Sequence, residues 1–208
     1  YEVSGDVLEV SGDVSHVAVG DRVLAFTEFG GYAEEVVCAH DQCMRLPQEG
    51  WTYEQAASVL VSFLTAYHAL HMTGPLLRGD RILVHACAGA LGLAATQLAK
   101  HAGLQVFGTC GSDEKAELAR RHGVDHTINY RNADFEREVL RLTERDGVDI
   151  VLDSIGGYSF KKDLRCLRVG GRVVGCGAAG LSDRSLGRLF SVLSDVLSMV
   201  TFSTIELM

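Results

Sequence analysis

Residues 82–93, Ile-Leu-Val-His-Ala-Cys-Ala-Gly-Ala-Leu-Gly-Leu, constrain this chain more than any other stretch. An apolar run passes directly into a helical pattern, so the backbone must turn from strand to helix inside the segment. Gly89 lets the turn close, and the small residues Ala88 and Ala90 let backbone amides approach an anion. Gly92 lets the new helix pack closely on its strand. The helix start adds amides without acceptors and the positive end of a dipole, a combination that suits a diphosphate. The spacing is A-x-x-G-x-x-G, from Ala86 to Gly92, and glycines at such turns also serve packing alone. What favours a nucleotide is the order in which strand, turn, helix and next strand follow one another.

That order continues. Strand patterns at 81–85, 104–109, 127–130, 148–153 and 172–176 alternate with helical patterns at 91–102, 113–122, 133–142 and 158–167. Strands separated by helices predict a parallel sheet with right-handed crossovers, the doubly wound α/β class. A last helical stripe, Leu186 to Val200, is read as core or as a contact between protomers, with a cleft-lining flap as the other possibility. No sixth strand follows it. Before the sheet, residues 56–70 carry helical spacing ending near Gly74-Pro75. The first part instead reads as β-structure, with strands at 3–10, 22–26 and 32–38 and glycine turns between them. It predicts a small barrel-like or sandwich-like domain that is incomplete at its start. The expected division is 1–60 for the β domain and 61–208 for the nucleotide-binding domain.

Composition excludes several classes. Hydrophobic residues make up 47% and charged residues 22%, enough apolar material for a buried core. The net charge of −8 argues against nucleic-acid binding. No apolar run is long enough to span a membrane, and Tyr1 begins inside a strand pattern rather than a leader. Cysteines stand at 38, 43, 87, 110, 166 and 176, with no C-x-x-C pair. A reduced, cytoplasmic protein is the simplest reading.

The nucleotide is chosen at the end of the second strand, where an acid would bind the ribose of NAD. There the chain reads Phe-Gly-Thr-Cys-Gly-Ser at 107–112, without an acid. Gly111, Ser112, Lys115 and Tyr130, with Arg131, bring a hydroxyl, a cation and a phenol toward one corner, which suits the 2′-phosphate of NADPH. Asp113 and Glu114 lie close by, and Ser112 could equally be the cap of the next helix.

Residues 79–92, Gly-Asp-Arg-Ile-Leu-Val-His-Ala-Cys-Ala-Gly-Ala-Leu-Gly, followed by Gln97 and Lys100, resemble the quinone oxidoreductase (zeta-crystallin-like) family of the medium-chain dehydrogenase/reductase superfamily. Leu-Thr-Ala-Tyr at 64–67, Ile-Asn-Tyr-Arg at 128–131, Asp-Ser-Ile-Gly-Gly at 153–157 and Gly-Gly-Arg-Val-Val at 170–174 support it. Two departures stand in the signature: Cys87 for a smaller residue and Ala90 for a glycine. The resemblance implies a GroES-like domain, a Rossmann domain with NADPH in the cleft between them, and a likeness to zinc-independent reductases. It implies diphosphate contacts from Ala88, Gly89, Ala90, Leu91 and Gly92. Adenosine-phosphate contacts would come from Gly111, Ser112, Lys115 and Tyr130, and cleft lining from Ser154 and Gly177; Thr65 would sit near the nicotinamide, and Cys176 stands at a cofactor-contact position where the family often has an aromatic. No catalytic side chain is assigned. Zinc ligands of related enzymes would align with Tyr1-Glu2 and Val61, which cannot supply them, so no metal is expected. The implied partner is a quinone or enone, and the implied full-length assembly a homodimer.

Rival readings remain. One is an enoyl reductase acting on unsaturated thioesters, toward which Gly50-Trp51 points. The other is a non-catalytic NADPH-binding or structural protein. Among bland readings, His68 and His71 are exposed or capped rather than metal ligands. Cys87 is a packing residue rather than a redox thiol, and Asp149 and Asp153 are structural.

Overall fold

The computed structural model describes residues 1–47 and 49–177, in two compact units that divide after Ala66. The stripe at 186–200 lies outside the described residues.

In the first unit β1 (Glu2–Asp6), β2 (Arg22–Phe26) and β3 (Cys43–Arg45) form an antiparallel sheet in that order. Leu24, Leu46, Ala56 and Leu60 make its buried core, with Phe26, Trp51 and Tyr53 packed against them. The expected strand at 32–38 is absent. Alternation alone cannot supply a strand with a hydrogen-bonding partner, and no described strand pairs with this segment. Tyr32 and Val37 are fully exposed. The single helix expected at 56–70 is also broken. A capping box on Thr52 and Gln55 starts α1 (Tyr53–Ala56), and α2 (Leu60–Tyr67) follows.

From Tyr67 onward the second unit begins with a π-helical turn, His68–Met72. The sheet then follows as β4 (Arg81–Val84), α3 (Ala90–His101), β5 (Gln105–Cys110), α4 (Asp113–Arg121) and β6 (His126–Asn129). It continues through α5 (Phe135–Leu142), β7 (Val148–Asp153) and α6 (Phe160–Cys166) to β8 (Leu167–Gly175). All five strands are parallel, in the order β6-β5-β4-β7-β8. The chain therefore leaves the central strand in one direction, returns, and continues in the other. Right-handed crossovers then place helices on both faces. Side chains show this. Leu83, Phe107 and Val151 pack with Phe135, Val139 and Cys166 on one face. Ile82 and Val84, one residue either side of Leu83, are fully buried on the other. There α3 and α4 turn small residues inward (Gly92, Ala94, Ala95, Thr96 and Ala99 of α3, Ala116 and Ala119 of α4), which lets them approach closely. This is the expected doubly wound sheet. Its fifth strand is longer than its apolar signal, running over 167–175 with an irregularity opposite β7.

Candidate functional site: the carboxyl edge of the parallel sheet

Because every strand is parallel, all five carboxyl ends meet one edge, and the reversal of strand order lies at β4. Beyond β4 the backbone stays bonded on both sides: the His85 amide donates to Leu152 (3.1 Å) and the Cys87 amide to Thr109 (3.0 Å). The chain then turns at Ala86, which takes a left-handed φ of 49°, and its carbonyl accepts from the Gly89 amide at 2.8 Å. Helix α3 starts at Ala90, so the amides of Ala90, Leu91 and Gly92 have no helical acceptor. Ala86, Gly89 and Ala90 are exposed and Ala88 half-buried, so no side chain fills the turn. A Cβ on Gly92 would run into the Ala86 carbonyl and come within 2.6 Å of Cys87 Cα, so only glycine permits this approach of helix to turn.

The cysteine in the turn is accommodated from the neighbouring strand. Cys87 is fully buried, and a Cβ on Gly108 would lie 2.7 Å from its sulfur. Gly108 thus makes the room that Cys87 takes. Burial, and then Cys110 beside it, push the Cys87 thiol up to about 12. Burial outweighs the backbone hydrogen bond that acts the other way, and the side chain is a neutral packing group.

At the end of β5 the expected corner residues come together. The Tyr130 ring lies over Gly111, where a Cβ would sit 2.5 Å from the phenol oxygen. Ser112 caps α4, its hydroxyl oxygen accepting from the Lys115 amide at 3.3 Å. No acid lies between Gln105 and Ser112. Asp113, the first beyond, accepts a hydrogen bond from Asn129 at 2.9 Å. The Glu114 carboxyl is held below its usual range, first by the Ser112 hydroxyl and then by its own backbone amide. Lys115 is exposed and, among the described residues, in no ion pair.

Ser154, Cys176 and Gly177 also meet. The Cys176 amide and thiol both donate to the Asp153 carbonyl (2.8 and 3.5 Å), and a Cβ on Gly177 would lie 2.6 Å from the Ser154 carbonyl oxygen. The loop after β7 is fixed by Asp153, whose carboxylate accepts from the amides of Ile155 (2.7 Å) and Gly156 (2.9 Å). Thr65 belongs to α2 in the other unit. His68 and His71 are exposed, His71 against the Tyr67 ring at 4.5 Å.

Beneath this edge lies a buried polar group that sequence reasoning missed. His85 Nδ1 meets Thr109 Oγ1 at 2.8 Å, and Nε2 meets Asp163 Oδ1 at 2.8 Å. Asp153 completes the cluster, with one ligand-capable atom from each of the three residues within 4.8 Å of the others. Asp163 Oδ2 is buried without a donor. Burial chiefly pushes the Asp163 carboxyl up, His85 pulls it down and Asp153 pushes it up again. A proton on Asp163 lets it donate toward Asp153, which relieves both effects. The signal in the sequence was slight: a histidine ending an apolar strand, and an aspartate on the inner face of a short helix.

An open parallel sheet with an amide-lined turn at its point of reversal defines a dinucleotide-binding domain of the Rossmann type. Residues 90–204 match the zinc-binding dehydrogenase family, and the chain belongs to it, within the quinone oxidoreductase-like branch of the medium-chain dehydrogenase/reductase superfamily. It is 41% identical over 179 residues to a quinone oxidoreductase of Pseudomonas aeruginosa, covering 86% of this chain and 55% of that one. It is 34% identical over 207 residues to a phenolphthiocerol/phthiocerol polyketide synthase protein of Mycobacterium tuberculosis, covering 99% of this chain and 9% of that one. A solved quinone oxidoreductase from Pseudomonas syringae superposes with a TM-score of 0.80 at 34% identity, over 91% of this chain and 59% of that one. The mycobacterial protein Rv1454c, solved with NADPH, superposes at 0.79 and 35% identity, over 92% and 60%. The chain thus spans little over half the length of the stand-alone relatives it matches.

The family's description implies zinc, and the residues at the aligned positions do not fit it. Tyr1 packs on Phe29 (5.6 Å between ring centres), and the Glu2 carboxylate accepts from the Val61 amide at 2.8 Å. These positions are adjacent, but Val61 offers no ligand atom and Glu2 is already engaged.

Proposed function

We propose that this chain is the nucleotide-binding portion of an NADPH-dependent oxidoreductase that reduces quinones or other conjugated carbonyl compounds without zinc. The observation that carries the reading is the open turn at Ala88–Gly92, with its unpartnered amides, beside a corner that holds Lys115 and Tyr130 and no free acid. When bound, NADPH would supply a hydride from its nicotinamide ring. The residues present fit that group. The amides of Ala90, Leu91 and Gly92 would bind the diphosphate, aided by the dipole of α3. Lys115 would pair with the 2′-phosphate, and the Tyr130 ring over Gly111 would form the wall against which the adenosine lies. Ser154, Cys176 and Gly177 would line the site further along the same edge. No side-chain acid is needed beyond them. Placing the ring and excluding water is the protein's main task, and solvent can supply the proton. The division at 1–60 and 61–208, a cytoplasmic setting and a homodimeric whole protein belong to the same reading.

The test is binding followed by turnover. NADPH should bind more tightly than NADH, and Lys115→Ala should erase most of the difference. A charged contact to phosphate is worth roughly 1.5–3 kcal/mol, about a tenfold to hundredfold preference. NADPH oxidation with 1,2-naphthoquinone or 9,10-phenanthrenequinone should follow. Equal affinities in the unmutated protein would refute the cofactor assignment. Tight binding without oxidation would favour a non-catalytic relative.

A second reading, an enoyl reductase module of a larger synthase, is favoured by the alignment of 207 residues with a polyketide synthase. Reduction of an α,β-unsaturated thioester in preference to quinones would select it.

A further inference from the structure

Residues 38–43 read Cys-Ala-His-Asp-Gln-Cys, and they place two thiols in contact. Three of them form a single 3-10 turn, His40–Gln42, and the cysteines flank it. The Gln42 amide donates to Ala39 (3.0 Å) and the Cys43 amide to His40, which reverses the chain. His16 donates from Nε2 to the His40 carbonyl at 2.6 Å, holding the turn from outside. Cys43 then enters β3 in register with Ala25 of β2, so its backbone is fixed on the other side. The outcome is a Cys38–Cys43 sulfur separation of 3.3 Å, with both residues half-buried and both thiols free.

The pair differs from the other cysteines: Cys176 is half-buried too, but its thiol donates to the Asp153 carbonyl rather than meeting a second sulfur. Cys87, Cys110 and Cys166 are sealed in the sheet and its helices, at most 2% exposed. Burial, then the neighbouring Cys38, push the Cys43 thiol up to about 11. Cys43 therefore keeps its proton at neutral pH, which suits it to act second, as the resolving thiol.

We propose that Cys38 and Cys43 are a peroxide-sensitive dithiol that closes reversibly to a disulfide. The Cys38 thiolate attacks hydrogen peroxide; the O–O bond breaks, hydroxide leaves, and Cys38 becomes a sulfenic acid, oxidised by two electrons. Cys43 then attacks the sulfenic sulfur. The S–S bond forms, the S–O bond breaks, and the hydroxyl leaves as water with the Cys43 proton. In sum, two thiols and one hydrogen peroxide give one disulfide and two waters. A dithiol reductant returns two electrons and two protons. Closing the contact to bonding distance is a displacement of about an ångström.

Arg22 and Arg45 bracket both cysteines in one tryptic peptide, 23–45, which has no internal Lys or Arg. The intact, reduced protein is treated with a series of hydrogen peroxide doses, denatured, alkylated with iodoacetamide and digested. Peptide 23–45 is expected two hydrogens lighter and unalkylated, and dithiothreitol before alkylation should restore two alkyl groups. In Cys43→Ser, oxidation should stop at a Cys38 sulfenic acid that dimedone traps. Closure should be at least about tenfold faster in the folded protein than in urea, because the fold holds the sulfurs together. Met44, in the same peptide, marks the dose. Both alkyl groups retained when Met44 takes up oxygen would overturn the proposal. So would closure at equal rates with and without urea.

Discussion

Asp163 is fully buried, carries one oxygen with no donor, and faces both a histidine and another carboxyl group. Its charged form is disfavoured by burial and by Asp153, and favoured only by His85. The carboxyl therefore titrates above its unfolded value. Its contribution to stability is complete below the ordinary aspartate range and is lost as pH rises through the raised value. Asp163→Asn keeps an acceptor for His85 and gives a permanent donor toward Asp153. Melting curves from about pH 4 to 8 should show the unmutated protein falling relative to this variant as pH rises, the two converging at low pH. Parallel curves would remove the shared proton from the account. Asp163→Ala leaves His85 and Asp153 facing a void and should cost about 3 kcal/mol in urea unfolding at neutral pH. At this scale the turn was readable, because Gly89 and Gly92 act on their own backbone. His85–Asp163 was not readable, since the partners are far apart in the chain and neither is unusual alone.

The helices show how local signals combine with contacts the sequence does not announce. The strand and helix order from 81 onward was legible from period, and boundaries moved by only a few residues. The start of α5 moved to Phe135 because Asp134 caps it, accepting from the amides of Glu136 (3.0 Å) and Arg137 (3.3 Å). The same carboxylate pairs with Lys162 of α6 at 2.5 Å, and Glu136 pairs with Arg165 at 2.8 and 2.9 Å. Asp134→Ala should cost about 1–2 kcal/mol, mostly through the lost cap. Asp134→Asn, which keeps the cap and loses the half-exposed ion pair, should cost under about 1 kcal/mol. Equal losses in urea titrations would mean that the ion pair, not the cap, holds the helix start. The strand expected at 32–38 failed for the converse reason. It had the right alternation, but a strand also needs a neighbour.

Across the molecule, Arg172 joins segments about a hundred positions apart. From β8 its guanidinium donates to the carbonyls of Pro75 (3.0 Å), Leu70 (3.3 Å) and Gly74 (3.4 Å), closing the π-helical turn and the approach to β4. Arg172→Ala strips three carbonyls of their donor and should lower stability by about 1–3 kcal/mol, read as a shift in the urea midpoint. Lysine, a single point donor, should recover only part of it, and an unchanged midpoint in the alanine variant would show the clamp to be idle. What the sequence alone determined was whatever depends on neighbours along the chain. That covers the doubly wound order of elements, the amide-lined turn, and the absence of an acid where the second strand ends. Tertiary structure decided the rest: the buried His85–Asp163–Asp153 cluster, the room Gly108 leaves for Cys87, the Glu2–Val61 contact where zinc ligands would stand, and the meeting of Cys38 with Cys43. Periodicity and turn chemistry are written into adjacent residues. A hydrogen bond or a contact between distant side chains exists only once packing has brought them within reach.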